Sequence, residues 1–232
     1  MIFSMDKYLF AGVCLQNARP SNMDSLLLKP KRVAGEEAVL SVVCDGVGSL
    51  VDGGFASGMA VRLLGDWFNG IDSAENIGAK LMDFLYNANV YLVDQAEKRN
   101  IETASTISAL LLIGNTYYVV HLGDSRIYSH TKGSLSLITK DDSSPEGKLT
   151  GYIGRKRDIY PQYYEGDAAG KMFLLCSDGF HKRMDADFLV QYMDSLGISK
   201  KDLDNAGAEL TQQVIDKGER DNITLALIRS VS

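Results

Sequence analysis

This 232-residue chain is short of several residue types, and each shortage removes a class of function. No apolar run approaches the roughly 18 residues needed to cross a bilayer, so membrane insertion is not expected. The opening Met1-Ile2-Phe3-Ser4-Met5-Asp6-Lys7 lacks the charged-then-apolar order of a signal peptide. Only three cysteines occur, Cys14, Cys44 and Cys176, an odd number set far apart inside apolar runs. That pattern fits neither a disulfide framework nor a zinc site; it reads as buried reduced thiols and a cytoplasmic home. The three histidines, His121, His130 and His181, share no ligand spacing. Structural roles are expected for the first two, while His181 follows an Asp-Gly turn and could lie nearer a site. Basic residues are not in excess: the net charge is -6, which argues against a nucleic-acid partner. Repeats, low-complexity segments and linkers are absent, and 45% of residues are hydrophobic. One globular domain over residues 1–232 is therefore expected.

What the chain does have is aspartate at the ends of apolar runs. Val42-Val43-Cys44-Asp45-Gly46, His121-Leu122-Gly123-Asp124, Leu175-Cys176-Ser177-Asp178-Gly179 and Asp221-Asn222-Ile223-Thr224 each join a β-rich segment to a carboxylate beside glycine or asparagine. A strand that ends this way delivers a carboxylate to its rim, and glycine permits the tight turn. One such ending is ordinary turn chemistry. Four suggest carboxylates gathered around a shared positive charge, because clustered carboxylates repel unless a cation neutralises them. An all-oxygen donor set suits a hard ion such as magnesium or manganese.

Strands are expected at Lys7–Gln16 and Ala38–Cys44, with a polar connection through Pro20 and Asn22. Apolar pairs every four positions place a helix over 56–68. A second begins at Ser73 as N-cap and ends near Asn100. Gly114-Asn115 joins 107–113 to 117–122 as a hairpin, and a turn at 131–133 joins 126–129 to 135–139. The polar stretch 140–170 reads as loop with short strands. Strands follow at 172–176 and 223–228, with helices near 186–195 and 200–217 between them. Hairpins with two groups of helices give an α+β domain in which helices cover antiparallel sheet. Periodicity alone leaves the layering open.

Six segments come in a fixed order: Arg19-Pro20-Ser21-Asn22-Met23-Asp24; Asp45-Gly46-Val47-Gly48 with Gly53 and Ala56-Ser57; Ala104-Ser105-Thr106; Gly123-Asp124-Ser125-Arg126; Ser177-Asp178-Gly179; Asp221-Asn222-Ile223-Thr224. In that order and spacing the chain resembles the metal-dependent serine/threonine protein phosphatases of the protein phosphatase 2C type, in their compact bacterial form. The matching family patterns are R-x-x-N-E-D, D-G-M-G-G, G-S-T, G-D-S-R, S-D-G and D-N-I-T.

The resemblance implies a four-layer α-β-β-α sandwich of two antiparallel sheets flanked by helices. It also implies a site for two Mn2+ or Mg2+ ions and a third, weaker one. By it, Asp45 bridges two metals, Asp178 and Asp221 complete the first, and the Gly46 carbonyl joins the second. Asp124 helps hold the third, Arg19 clamps the substrate phosphate, and Asp24 orders metal-bound water. Two cations then acidify a bridging water for in-line attack, so no protein nucleophile is required. The expected substrates are phosphorylated proteins, a serine/threonine kinase or its targets among them, and the expected state is a monomer.

Three departures from the family pattern bear on this reading. Met23 stands where the family has glutamate or glutamine, and a thioether is a poor ligand for hard cations. Val47 replaces a histidine thought to act as general acid in eukaryotic members, as bacterial relatives also do. Ser49 replaces a glycine, and 140–170 is shorter than the family's flap region. Two alternatives remain open at this point: a catalytically weak relative that serves as a regulatory binding module, and a phosphatase of small phosphate esters. For Asp124 the competing roles are capping a turn and an ion pair with Arg126.

Overall fold

The computed structural model describes residues 7–48, 50 and 52–231. Residues 1–6, expected to lack a leader, and the replacement at Ser49 fall outside them. Among the described residues, ten strands form two five-stranded antiparallel sheets. The first has the order β1-β10-β9-β6-β7: β1 Tyr8–Leu15, β10 Ile223–Ser230, β9 Met172–Cys176, β6 Arg126–Thr131, β7 Ser134–Leu137. The second has the order β2-β3-β4-β5-β8: β2 Asp24–Val33, β3 Glu36–Asp45, β4 Ile107–Ile113, β5 Thr116–Leu122, β8 Gln162–Asp167. Helices α1 (Gly53–Gly70) and α2 (Ile77–Arg99) cover the second sheet; α4 (Ala186–Ser195) and α5 (Lys200–Asp216) cover the first. A single turn, α3 (Asp178–His181), follows β9 directly.

Alternation along the strands produces the four layers. On β3, Ala38, Leu40, Val42 and Cys44 pack under α1 and α2, while Val39 and Val43 face the other sheet. On β9, Met172, Leu174 and Cys176 pack under α4 and α5, while Phe173 and Leu175 meet the facing sheet. Strands covered on both faces must be apolar throughout, which explains their unbroken hydrophobic runs.

Several elements differ from the expectations. Strand β2 occupies part of the stretch between the two expected strands, where Pro30 and three basic residues interrupt its apolar pattern and hide it. It is an edge strand, paired only with β3 among the described residues, a position where proline is tolerated. Its Lys29 and Lys31 serve the helix beside it: Lys29 Nζ donates to Gly65 O (3.3 Å), and Lys31 Nζ to Phe68 O (3.0 Å), Asn69 O (3.1 Å) and Ile71 O. Helix α1 has no basic residue in its own last turn, so these lysines complement its C-terminal dipole from outside. Ser73 is not the N-cap of α2. Its hydroxyl closes a local turn to Glu75 N (3.1 Å), and the helix starts after Asn76, which has left-handed backbone. Asn100 caps the other end as expected. Strand β8 emerges from the 140–170 stretch. Cys14, read as buried, is exposed near the end of edge strand β1, while Cys44 and Cys176 are buried. No helix among the described residues is long and apolar enough to cross a membrane.

Candidate active site

The strand ends that carry aspartate converge at one end of the sandwich. Asp45 ends β3, Asp124 follows β5, Asp178 opens α3 after β9, and Asp221 precedes β10. All four line one cavity of about 460 Å3, together with Arg19, Met23 and Gly46. The two sheets thus contribute carboxylates from opposite sides. Asp24 is not on the cavity wall. It lies opposite Asp45 in the β2–β3 register and is buried beside Ser177 and Thr224. Its Oδ2 has no hydrogen-bond partner among the described residues.

Local hydrogen bonds fix these positions. Thr106 Oγ1 accepts from Asp45 N (2.9 Å), Thr106 N donates to Asp45 O (2.9 Å), and Ser105 Oγ donates to the same carbonyl (3.1 Å). The Ala104-Ser105-Thr106 segment is therefore the clamp on the Asp45 backbone. Asn222 ties the Arg19 loop to β10: its Oδ1 accepts from Met23 N (2.9 Å) and its Nδ2 donates to Gln16 O (2.8 Å) and Ser21 O (3.0 Å). Asn17, with left-handed backbone, donates to Glu219 O (2.8 Å) and Asp221 O (2.9 Å). Gly179 is required by packing, since a Cβ there would lie 2.0 Å from Asn222 O. Gly123 is required by conformation, with φ +118, and a Cβ would also strike the Thr106 side chain.

Two cations already face the carboxylates. Arg19 binds Asp221 with both prongs, Nε to Oδ1 at 2.7 Å and NH2 to Oδ2 at 2.6 Å, and its side chain is 55% exposed. Lys182 Nζ reaches Asp178 Oδ2 at 2.5 Å. Arg126 pairs with Asp141 at 2.8 Å, so the alternative role of Asp124 as its partner does not hold. His181 does reach the site: its Nε2 donates to Asp124 O at 2.9 Å. His121 and His130 are structural, bonded to Ser108 and Gly123 O and to Asp194 respectively.

Burial pushes the Asp45 carboxyl well above the usual carboxylate range, and the neighbouring charges of Asp24 and Asp178 add to it. Burial also raises Asp24, to about 6, despite the hydroxyls of Thr224 and Ser177. Asp124 is raised by burial and by Asp178. For Asp178 burial acts in the same direction, but the bond and charge of Lys182 outweigh it and hold the carboxyl low.

Among the described residues no three Asp, Glu, His or Cys side chains stand as a ready-made metal cluster. The donor set nevertheless fits a cation. Asp45 and Asp178 share the cavity wall, and the charge of Asp178 raises the Asp45 carboxyl further; neighbouring carboxylates resist joint ionisation unless a proton or a positive charge lies between them. Oxygen donors select a hard ion.

A profile of the family described as protein phosphatase 2C matches residues 21–214. A putative protein phosphatase of Mycoplasma genitalium is 25% identical over 222 residues, covering 82% of this chain and 84% of that one. The serine/threonine protein phosphatase PstP of Mycobacterium tuberculosis is 26% identical over 214 residues, covering 82% of this chain but 40% of PstP. A solved structure of the PstP catalytic domain, in complex with two manganese ions, superimposes with a TM-score of 0.82 at 24% identity, over 97% of this chain and 98% of that one. Fold and cleft together define a two-sheet sandwich with an acidic cavity at one end of its sheets. The chain belongs to the protein phosphatase 2C family.

Proposed function

We propose that the chain removes phosphate from phosphoserine and phosphothreonine in proteins, using two Mn2+ or Mg2+ ions held in the acidic cavity. The observation that carries this reading is the convergence of Asp45, Asp124, Asp178 and Asp221 on one cavity that Arg19 also lines. Asp45, Asp178 and Asp221 would hold the ions, with the Gly46 carbonyl serving the second and Asp124 a third. When bound, the ions lower the pKa of water and neutralise phosphoryl charge.

The remaining work falls to the protein. Arg19 stands half exposed at the cavity, and its planar fork can exchange Asp221 for a phosphate, which it matches in geometry. Ser105 and Thr106 keep Asp45 from shifting as charge changes around it. Asp24, buried next to Asp45 with one oxygen unpartnered among the described residues, would accept a hydrogen bond from a water that reaches it behind the cavity wall. No side-chain nucleophile takes part. Residues 1–232 act as one catalytic domain in this reading, a cytoplasmic monomer that opposes a serine/threonine kinase.

A phosphothreonine peptide tests it. Hydrolysis should require manganese or magnesium and stop with excess chelator. Asp45→Asn and Asp178→Asn should each lower turnover by at least about 100-fold, the scale of losing a group that stabilises transition-state charge, while circular dichroism stays unchanged. Full activity in excess chelator would overturn the reading.

A further inference from the structure

A second cavity, of about 390 Å3, adjoins the acidic one, and Val47 and Leu149 belong to the walls of both. Its charge is opposite. The ionised side chains on its wall are Lys148, Arg155 and Lys156, with no carboxylate among its lining residues. All three are exposed, and none joins an ion pair among the described residues. On a chain of net charge -6, three unpaired cations beside a carboxylate-lined cleft are a local reversal of sign.

The backbone that carries them is held firmly. Ile153 and Ser105 exchange hydrogen bonds (2.9 and 3.1 Å), which ties this loop to the Asp45 clamp. Asn89, fully buried on α2, uses both ends of its amide on the same loop: Oδ1 accepts from Gly154 N (2.8 Å), and Nδ2 donates to Lys156 O (2.7 Å) and Arg157 O (3.0 Å). Lys148 ends a tight turn in which Ser144 N donates to Lys148 O (2.8 Å) and Lys148 N donates to Ser144 Oγ (3.3 Å). Lys156 Nζ lies 5.9 Å from the centre of the Tyr152 ring. A groove fixed in this way loses little freedom when it binds.

We propose that this groove is a second recognition site, taking an anionic side chain of the substrate that flanks the phosphorylated residue. This rests on the phosphatase reading above. The shared wall places the groove within a few residues of the scissile phosphate along an extended peptide, which advances about 3.3–3.6 Å per residue. Arg155 offers a fork suited to carboxylate or phosphate, and the lysines add point charges. The groove also offsets the repulsion an acidic peptide would meet from the rest of the molecule.

Three phosphothreonine peptides of equal length test the proposal: one with neutral flanks, one with flanking aspartates, and one with a flanking non-hydrolysable phosphonate. With manganese at low salt, the wild type should hydrolyse the anionic peptides about three- to tenfold more efficiently than the neutral one, as expected for a few exposed charge pairs. That ratio should fall to about one in Lys148→Ala/Arg155→Ala/Lys156→Ala, invert in Arg155→Glu/Lys156→Glu, and persist in Lys132→Ala, at the β6–β7 turn outside the groove. A larger gain with phosphonate would assign the groove to a second phosphate, and a larger gain with aspartate to carboxylates. Equal efficiency on all peptides in the wild type, or a preference that survives the triple variant, would overturn the groove alone. No hydrolysis of any peptide would overturn the phosphatase reading and the groove with it.

Discussion

Met23 is the residue at which this chain departs most from its family's site pattern, and the structure puts it on the cavity wall with Asp45 and Gly46. Its backbone is fully engaged, the carbonyl accepting from Gly46 N (3.1 Å) and Ser57 Oγ (2.6 Å), so a side-chain exchange leaves the loop in place. On the proposed reading Met23→Glu supplies a hard oxygen donor. Calorimetry should then show manganese binding several-fold more tightly, with turnover changed less than affinity; identical binding curves would mean the position has no part in holding the ion. The four cavity aspartates were legible in the sequence because each ends an apolar run at a turn, and strand ends are where a sandwich gathers its side chains. Lys182, Asn17 and Asn89 were not. Their roles depend on partners brought close only by folding, and lysine or asparagine on a polar stretch carries no local signal. The Asp178-Gly179 turn did hint at His181.

The elements tell a similar story. Hairpin β4–β5 and helices α1, α4 and α5 follow from periodicity and turn residues. Strand β2 does not, because an edge position tolerates a proline and charges that disguise it. Those charges have work to do. Lys31 bonds three carbonyls at the end of α1 and lies 5.5 Å from the centre of the Phe68 ring. Lys31→Met keeps the aliphatic stem but removes the charge, and should lower stability by about 1 kcal/mol in urea unfolding. An unchanged midpoint would show that water replaces the lysine without loss.

At the scale of the molecule, burial acts on protons as well as on apolar surface. His121 is fully buried and His130 nearly so, and burial lowers both below the ordinary 6.5, against the opposing pull of Asp142 and Asp194 respectively. Their neutral rings favour the folded state. Stability from them is complete above pH 6.5 and is lost as pH falls through the lowered folded values, because the unfolded chain takes up protons first. An NMR titration of the folded protein should show both rings titrating below 6.5, and a midpoint at or above that value would contradict the assignment. The edge of the second sheet has a different consequence. An exposed strand is a template on which another chain can add, and such growth is a common beginning of aggregation. On β2 a growing ladder meets Pro30, which has no N–H to donate, in a strand whose lysines are turned to the end of α1. The feature that hid this strand from its own sequence pattern also makes it a poor surface for copies of the chain to accumulate on.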